Sequence, residues 1–568
     1  MKNIRITIVI FLILIAIFVS LAVRCFYLQY YRNYYYESAS QKQQRVKFTQ
    51  LPRRGPILDI KGRLLAASNK NYIVKAEPRI IKNPAQVALE LAPLIDMDSE
   101  EIRSRITDTD NPGYARMKVV TDANICDKVL KIQGVGVDSF WQRYYPIGSV
   151  TSHIVGFMSK DGRSLGGIEH QYDNVLSGTT GQDIFWADKF RRTIRLKQQE
   201  SVVKNGSGLI LTIDATIQQF VRAALYKRYT EYNAEAATAV VMDPKSGEIL
   251  AMVSLPDFDP EDTGNSDPNN FRNRAITDTF EPGSIMKPIT MTIALDAGVL
   301  SYNDHIFCEN GLYSGKGFGS IKEYDYHKYG NLPIREIIIK SSNIGSAKIG
   351  QKLGKKRLYE GLKLFGFGAK TGIDCPGEDS GVLWPVNTWT GYSVTRIPFG
   401  HEITVTALQV LKAFAILANG GRAVKPYLVK AIVDEQGNII QVKQPSVQFA
   451  HVIKPEVAKW MVTNPLTGVV NEKDKGGTGW RAKLDKWQVF GKTGTANIAL
   501  KDRKGFSQTD YIASFIAGAP AEDPRIVVLV SIRKPDRSLG KGYTGGAVAS
   551  PVVKQIIEKT LTYLESSH

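Results

Sequence analysis

Hydrophobic residues are most concentrated near the N-terminus, where positions 6–23 form an uncharged and almost wholly apolar run. As a helix, such a run would span about 27 Å, close to the thickness of a membrane's hydrocarbon core. Lys2 and Arg5 precede the run, and a belt of Phe and Tyr follows it. The positive-inside tendency therefore predicts a cytoplasmic tail over 1–5, a retained transmembrane anchor over 6–24 and an extracytoplasmic remainder.

Two later segments place polar residues where a helical apolar pattern begins or breaks. A Pro-Gly breaker pair precedes Ser284 and an apolar run of helical spacing follows it, so a helix is predicted to start at this serine. An apolar run over 332–340 ends at Ser341, and Asn343 leads into the next run. These two residues are therefore predicted to lie at an interruption between two helices.

A third segment, 487–496, predicts a strand that carries Lys492, Thr493 and Gly494. Glycine in a strand often marks the close approach of another backbone, and here the expected neighbour is a ligand. A second Lys-Thr-Gly begins at Lys370, but it follows a glycine-rich stretch and predicts a loop.

The first of these segments suits acyl transfer on a serine hydroxyl. Residues three apart share a face of a helix, so Lys287 can reach Ser284 and take its proton when the amine is neutral. Burial and a second cation such as Lys492 would both lower the pKa of Lys287 toward neutrality. The alternative is an ordinary capped helix with a solvated lysine, because Ser-x-x-Lys occurs three more times. These other occurrences begin at Ser201, Ser531 and Ser538.

The other two segments add a proton relay and a site for a carboxylate. A hydroxyl and an amide at Ser341 and Asn343 can relay a proton and orient a substrate carbonyl, although both residue types also cap helices. Lys492 and the hydroxyls of Thr493 and Thr495 can bind a substrate carboxylate. Together with the apolar run at 6–23, the three segments predict a membrane-tethered serine acyltransferase.

Length and composition predict two or three globular domains beyond the anchor, because 568 residues exceed a single core and 43% of them are hydrophobic. Segment 25–48 is predicted to be a polar, aromatic-rich linker. Segment 49–225 mixes short strands and helices, and 226–568 alternates strands with helices around the three motifs. The predicted fold class is α/β (α+β), with a sheet packed between helices in the last domain.

Charge and cysteine content limit the kinds of partner, metal and cofactor that the sequence predicts. The net charge of +18 is scattered and no nucleic-acid motif accompanies it, so a membrane surface or a diphosphate-bearing lipid substrate is favoured over nucleic acid. The four cysteines lie too far apart for a metal cluster, and neither a metal nor a cofactor is expected. The sequence permits a disulfide bridge between Cys308 and Cys375 but does not require one.

The three motifs, about 55 and about 150 residues apart, resemble the penicillin-binding and serine β-lactamase superfamily. The surrounding sequence is similar to class B penicillin-binding proteins over nearly the whole extracytoplasmic chain. The Glu-Pro-Gly before Ser284 and the Met-Lys-Pro after it resemble the division type, penicillin-binding protein 3. Matching positions elsewhere include Arg54, Asp59, Gly62, Gly167, Glu169, Tyr172, Asp173, Asp214, Gln218, Gly247, Asn273, Arg274, Gln409, Gly421, Tyr543, Gly546 and Pro551.

This resemblance implies a transpeptidase domain over 226–568 and a dimerisation-type pedestal over 49–225. It implies a septal peptidoglycan D,D-transpeptidase in which Ser284 attacks the penultimate D-Ala carbonyl of a stem peptide and passes the acyl group to an amine. The implied catalytic residues are Ser284, Lys287, Ser341, Asn343 and Lys492, and the implied substrate-binding residues are Thr493, Gly494 and Thr495. One departure is segment 399–402, where the family usually has a second small residue near His401.

The resemblance also implies the partners and the location. The partners would be D-Ala-D-Ala stem peptides, β-lactam antibiotics, the membrane, a glycosyltransferase and other membrane proteins of the division complex. The protein would lie in the inner (cytoplasmic) membrane with its catalytic domain outside.

Several alternative functions use the same residues. An elongation-type transpeptidase, a D,D-carboxypeptidase and a β-lactamase would share the serine chemistry, and the last two would differ in using water as the acceptor. An alternative from another class is a non-enzymatic β-lactam receptor or division scaffold.

Overall fold

The computed structural model describes residues 2–187, 193–499 and 505–566. Contacts divide the chain into two units. The smaller unit contains Met1–Arg53 and Ser177–Gly206, and the larger contains Arg54–Leu176 and Ser207–His568. All of the predicted site residues belong to the larger unit.

The smaller unit begins with an apolar helix, Lys2–Phe26, which a π-helical turn at Tyr27–Tyr31 extends. The stretch Asn3–Tyr31 has a mean hydropathy of 3.3 in its most apolar part, so it is long and apolar enough to cross a membrane. The anchor predicted over 6–24 lies within this stretch. Much of the linker predicted over 25–48 is also helical, and the segment contains neither Gly nor Pro that would interrupt a helix.

A second helix and a small sheet complete the smaller unit. The helix Asn33–Gln44 leads into the first strand of an antiparallel sheet. The strands of this sheet are Arg45–Gln50, Gly181–Ala187 and Thr193–Ser201.

The N-terminal part of the larger unit is built on a seven-stranded sheet and three helices. The strands in sheet order are Ile439–Val442, Val429–Val433, Gly208–Leu211, Ile57–Leu58, Leu64–Ala76 and Ala115–Val120, with Val135–Tyr144 also paired to Leu64–Ala76. The helices are Pro84–Ile95, Ser99–Thr107 and Ala123–Val129. Each helix starts where an Asn or Asp side chain, from Asn83, Asp98 or Asp122, accepts a hydrogen bond from a backbone amide.

This sheet continues across position 225, where the sequence predicted a domain boundary. Val429–Val433 pairs antiparallel with Gly208–Leu211. The helix Ala215–Glu231, which Asp214 caps, runs through the predicted boundary and packs against the strands that follow it. A division at 225/226 would therefore cut an intact helix.

A five-stranded antiparallel sheet lies at the centre of the remaining chain. The strands in sheet order are Ile249–Leu255, Ala236–Met242, Ile526–Arg533, Phe506–Ala519 and Phe490–Ala499. Alternate residues face opposite sides, and both sides are buried. Val240 and Leu529 contribute to one apolar cluster, whereas Val241 and Val530 contribute to the other.

Helices cover both faces of this sheet, which confirms the predicted layering. Ala215–Glu231 and Ser550–Ser566 pack together on one face. The other face contacts Ala407–Ala418, whose residues are all buried. In the same apolar cluster, Met286–Asp296 packs against Asn343–Leu364.

The remaining elements are short. The further α-helices are Ser152–Val155, Gly167–Gln171, Asp173–Leu176, Arg274–Thr277, Ile334–Ile339, Gly391–Arg396, Pro455–Met461, Thr467–Asn471 and Gly545–Val548. The further strand pairs are Phe157–Met158 with Ser164–Leu165, Thr279–Phe280 with Val405–Thr406, His305–Phe307 with Asn331–Pro333, Leu312–Gly315 with Gly319–Lys322, and Ala423–Val424 with Val447–Phe449.

Candidate active site

Ser284 lies in a 3₁₀ turn, Gly283–Ile285, that leads directly into the helix Met286–Asp296. The helix therefore starts where the sequence predicted, and Pro288 lies in its first turn, where proline is tolerated. The amide of the residue before the serine donates to the carbonyl oxygen of Gly400 at 3.1 Å. A Cβ atom at Gly400 would lie 2.1 Å from the carbonyl oxygen of Gly283, so this close approach requires glycine.

Ser341 and Asn343 lie where the predicted interruption between helices was expected, after Ile339 and at the start of the next helix. The helix cap is Ser342, whose Oγ accepts a hydrogen bond from the amide of Gly345 at 2.9 Å. Ser341 has a left-handed φ of +60°, a strained conformation for a residue with a side chain. The capping alternative therefore does not account for Ser341 or Asn343.

Two lysine side chains converge on the hydroxyl of Ser341. Lys287 Nζ lies 3.2 Å from Ser341 Oγ, and Lys492 Nζ lies 2.9 Å from the same atom. Lys287 also donates to Ser341 O at 2.5 Å and to Asn343 Oδ1 at 2.8 Å. Both lysines are fully buried. Three segments that are remote in the chain therefore meet at one hydroxyl group.

The sequence predicted that Lys287 contacts Ser284, but the lysine instead bonds Ser341 and Asn343. Among the described residues, no hydrogen bond joins these two side chains. An ammonium group has three donors, and the contacts to Ser341 and Asn343 occupy three directions around Lys287 Nζ. The lysine is thus held by the second motif, while Ser284 lines the neighbouring cleft.

Burial controls the acid–base properties of both lysines. It lowers the pKa of Lys287 to about 7, against an opposing effect of the Glu323 carboxylate. Burial also lowers the pKa of Lys492 well below its ordinary value, and the nearby Lys287 ammonium adds to this effect. Two positive charges at one hydroxyl disfavour each other, so the pair favours at least one neutral amine.

The third motif lies on Phe490–Ala499, an edge strand of the five-stranded sheet, which confirms the predicted strand. Thr493 Oγ1 lies 2.7 Å from Thr478 Oγ1. Thr495 Oγ1 accepts a hydrogen bond from the amide of Gly545 at 3.1 Å. The strand therefore directs threonine hydroxyls at the cleft while its lysine lies behind them.

The reason predicted for Gly494 is corrected by its surroundings. A Cβ atom at this position would lie 2.8 Å from the Ile285 side chain and 3.1 Å from Pro282 O. The neighbouring space is filled by the turn that holds Ser284 and not by a ligand. Glycine is needed because the strand packs directly against this turn.

A cleft of about 420 Å³ opens in front of these groups. Five of the predicted site residues line it, namely Ser284, Ser341, Asn343, Thr493 and Thr495. Residues that the sequence predictions missed line it as well, namely Glu323, Tyr324, His327, Tyr329, Lys340, Gly476, Thr478, Asn497 and Thr544. Two of these residues had a sequence signal: Lys340 directly precedes Ser341 in the second motif, and Thr544 lies in a family-like Tyr-Thr-Gly-Gly segment.

The unusual segment 399–402 also contributes to the cleft. His401 lines it, and its Nδ1 lies 2.7 Å from Glu281 Oε2. The other oxygen of Glu281 accepts a hydrogen bond from the amide of Glu402, a residue with a left-handed φ of +60°. Glu281 thereby ties this loop to the turn that carries Ser284.

The competing motifs are used elsewhere in the fold. The second Lys-Thr-Gly is a loop, as predicted, in which Thr371 donates from Oγ1 to Glu378 at 2.5 Å. Ser531 Oγ lies 3.0 Å from Ser514 Oγ on the neighbouring strand. Of the competing Ser-x-x-Lys serines, neither Ser531 nor Ser538 lines the cleft that contains Ser284.

Two family models cover most of the chain. The model described as the penicillin binding protein transpeptidase domain matches residues 237–558. The model described as the penicillin-binding protein dimerisation domain matches residues 49–211. The chain belongs to the class B penicillin-binding proteins. It is therefore a serine-type peptidoglycan transpeptidase whose domain binds stem peptides and β-lactams.

Two named relatives are similar in sequence to this penicillin-binding protein over most of their length. Stage V sporulation protein D of Bacillus subtilis is 33% identical over 90% of this chain and 78% of its own. Peptidoglycan D,D-transpeptidase FtsI of Escherichia coli is 29% identical over 89% of this chain and 82% of its own.

Solved structures show the same fold. A peptidoglycan synthetase from Bifidobacterium adolescentis has a TM-score of 0.74 and 26% identity, covering 92% of this chain and 97% of its own. Penicillin-binding protein 3 from Mycobacterium tuberculosis, complexed with aztreonam, has a TM-score of 0.70 and 25% identity, covering 91% and 97%.

The packing at Gly494 can be tested with a single methyl group. Gly494→Ala should cost about 1–3 kcal/mol of stability, because the added carbon overlaps Ile285. Displacing the turn also moves Ser284, so acylation by a fluorescent penicillin should slow by about 10²-fold. Gly264→Ala is the matched control, because a Cβ atom there meets open space. Acylation of Gly494→Ala at the wild-type rate would contradict this account.

Proposed function

We propose that this penicillin-binding protein cross-links peptidoglycan through an acyl-enzyme on Ser284, and that it acts in septal wall synthesis during cell division. The observation that carries the catalytic assignment is the convergence of Lys287 and Lys492 on Ser341 Oγ, beside the cleft that Ser284 lines. A serine nucleophile, a neutral amine and a hydroxyl relay are the parts that acyl transfer requires.

In the first half-reaction, Ser284 Oγ attacks the penultimate D-Ala carbonyl of a stem peptide. Its proton passes to the neutral amine of Lys287, whose hydrogen bonds exchange when substrate enters the cleft. The peptide C–N bond breaks and an ester to Ser284 forms. The D-Ala amine leaves with the proton, which Lys287 returns through Ser341, while Asn343 orients the substrate amide.

In the second half-reaction, an amine from a neighbouring strand attacks the ester carbonyl. A new C–N bond forms, the C–O bond to Ser284 breaks, and the amine's proton returns to the serine through Lys287. The hydroxyls of Thr493 and Thr495 bind the terminal carboxylate of the donor peptide. Lys492 completes the relay from behind Ser341 and holds the hydroxyl between the two amines.

The septal role and the partners rest on similarity. Glu281 before the Pro-Gly-Ser turn resembles the division type, and the similarity to the Escherichia coli FtsI protein supports it. The positively charged residues before the apolar helix favour an orientation with the N-terminus in the cytoplasm and the catalytic domain outside the inner membrane. The proposed partners are a glycosyltransferase and other division-complex membrane proteins. The proposed transpeptidase domain includes the helix Ala215–Glu231.

Covalent labelling tests the nucleophile. Penicillin should acylate Ser284, and mass spectrometry of tryptic peptides should place the adduct there. Ser284→Ala should abolish labelling with a stability change within about 0.5 kcal/mol, because the residue is only half-buried. Ser531→Ala and Ser538→Ala, which alter the competing Ser-x-x-Lys sequences, should label normally. An adduct on any other serine would contradict the assignment.

The base can be tested by the pH dependence of acylation. Only neutral Lys287 accepts the proton, and its lowered pKa places the rise in rate with increasing pH at about pH 7. Lys287→Ala should slow acylation about 10²–10⁴-fold, with little change in the initial binding of penicillin. Equal losses in binding and acylation would mean that Lys287 is structural. A preserved rise near pH 7 in this variant would point to Lys492 as the base.

The anchor and its orientation can be tested in cells. The mature protein should keep the apolar helix, sediment with the inner membrane and be digested by protease added from the outer side. Deleting residues 1–24 should preserve penicillin acylation in vitro and abolish complementation in cells, because tethering supplies an effective concentration near lipid-linked substrate. Full complementation by the shortened protein would rule out this role of the anchor.

A further inference from the structure

A buried carboxylate lies directly behind the second motif. Glu323 is 5% exposed, follows the strand Gly319–Lys322 and lines the cleft. Its Oε1 accepts from Ser342 Oγ at 2.5 Å, and its Oε2 accepts from the backbone amide of Asn343 at 2.7 Å. A third, longer hydrogen bond of 3.3 Å comes from the amide of Ile344. None of the three sequence motifs contains this residue.

We propose that Glu323 is a positioning residue for acyl transfer: its carboxylate holds the segment of Ser341 and Asn343 against the two buried lysines. This inference rests on the proposed roles of Ser284 and Lys287. It assigns to the cleft a charged group that touches neither the nucleophile nor the base.

The hydrogen bonds explain why a carboxylate suits this position. The first amides of a helix have no partner inside it, and those of Asn343 and Ile344 are bonded by Glu323. Ser342 Oγ bonds the third amide, that of Gly345, and donates its own hydrogen to Glu323. An anion at the N-terminus of this helix, which runs without a break as far as the kink at Gly354, is also favoured by the helix dipole.

The same contacts restrain the strained residue that both lysines approach. Ser341 precedes the helix and has a left-handed φ, which persists only when its surroundings hold it. Glu323 fixes Ser342 and Asn343, the two residues after Ser341. The side-chain amide of Asn343 also donates to Lys322 O at 2.9 Å. The loop that carries Glu323 therefore sets the position of the Ser341 hydroxyl from behind.

The charge of Glu323 also acts on Lys287. The carboxylate opposes the effect of burial and raises the pKa of Lys287, whereas burial and the Lys287 ammonium act on Lys492. The charged groups that face Lys287 are Lys492 from the sheet and Glu323 from the loop. Two further titratable groups, Cys308 and Tyr329, lie near Glu323. Removing the carboxylate charge therefore favours neutral Lys287 at lower pH.

The test compares pH profiles of penicillin acylation for the full-length protein in detergent. In Glu323→Gln, the midpoint of the rise in rate should move down by about 0.5–1 pH unit, and the maximum rate should fall about tenfold or more. A purely structural cap would lower the rate without moving the midpoint. An unmoved midpoint in the folded variant would therefore overturn the proposal.

Two variants serve as controls. Glu309 bonds Lys348, which lies on the helix that starts at Asn343, but Glu309 does not line the cleft. Glu309→Gln should therefore leave the midpoint and the rate unchanged. Glu323→Asp keeps the charge but is too short to keep all three hydrogen bonds, so the midpoint should stay and the rate should fall about tenfold.

The aspartate variant decides the matter if Glu323→Gln does not fold, as judged by its thermal unfolding. A wild-type rate, or a moved midpoint, in Glu323→Asp would overturn the proposal. A wild-type protein that penicillin does not acylate on Ser284 at any pH would instead contradict the proposed function itself.

Discussion

The burial of two lysine side chains beside one hydroxyl is the constraint on which the site depends. A buried ammonium group costs several kcal/mol unless it is neutralised or fully hydrogen-bonded, and a second one nearby adds repulsion. The protein surrounds Lys287 with three oxygen acceptors and gives Lys492 the hydroxyl of Ser341. The part of the burial cost that these hydrogen bonds do not offset lowers the pKa of both lysines. An amine that is neutral near pH 7 is the form that can accept a proton from serine.

The fold meets this constraint by bringing backbones unusually close. Gly494 allows the edge strand to pack on the turn of Ser284, and Gly400 allows a loop to reach the same turn from another side. A methyl group at either position would separate elements that carry different parts of the site. Because the nucleophile and Lys492 lie on a helix start and a strand, their geometry is set by rigid elements.

Carboxylates outside the motifs hold the loops that complete the cleft. Glu281 binds the loop of His401 and Glu402, and Glu323 binds the start of the helix after Ser341. Outside the cleft, the buried Glu169 plays a similar part, since it accepts from Arg54 and Arg143, each at 2.6 Å. In each case one carboxylate forms hydrogen bonds with two or more groups and so joins segments that are separate in the chain.

The sequence by itself determined the apolar N-terminal helix, the helix start at Ser284, the helix interruption at Ser341 and the strand of Lys492. Each of these follows from local periodicity and breakers, which act over a few neighbouring residues. Only the tertiary structure decided that Lys287 bonds Ser341 and Asn343, that Gly494 makes room for Ile285, and that Glu323 takes part. These features depend on contacts between segments tens to hundreds of residues apart, and a single sequence carries no local signal for such contacts.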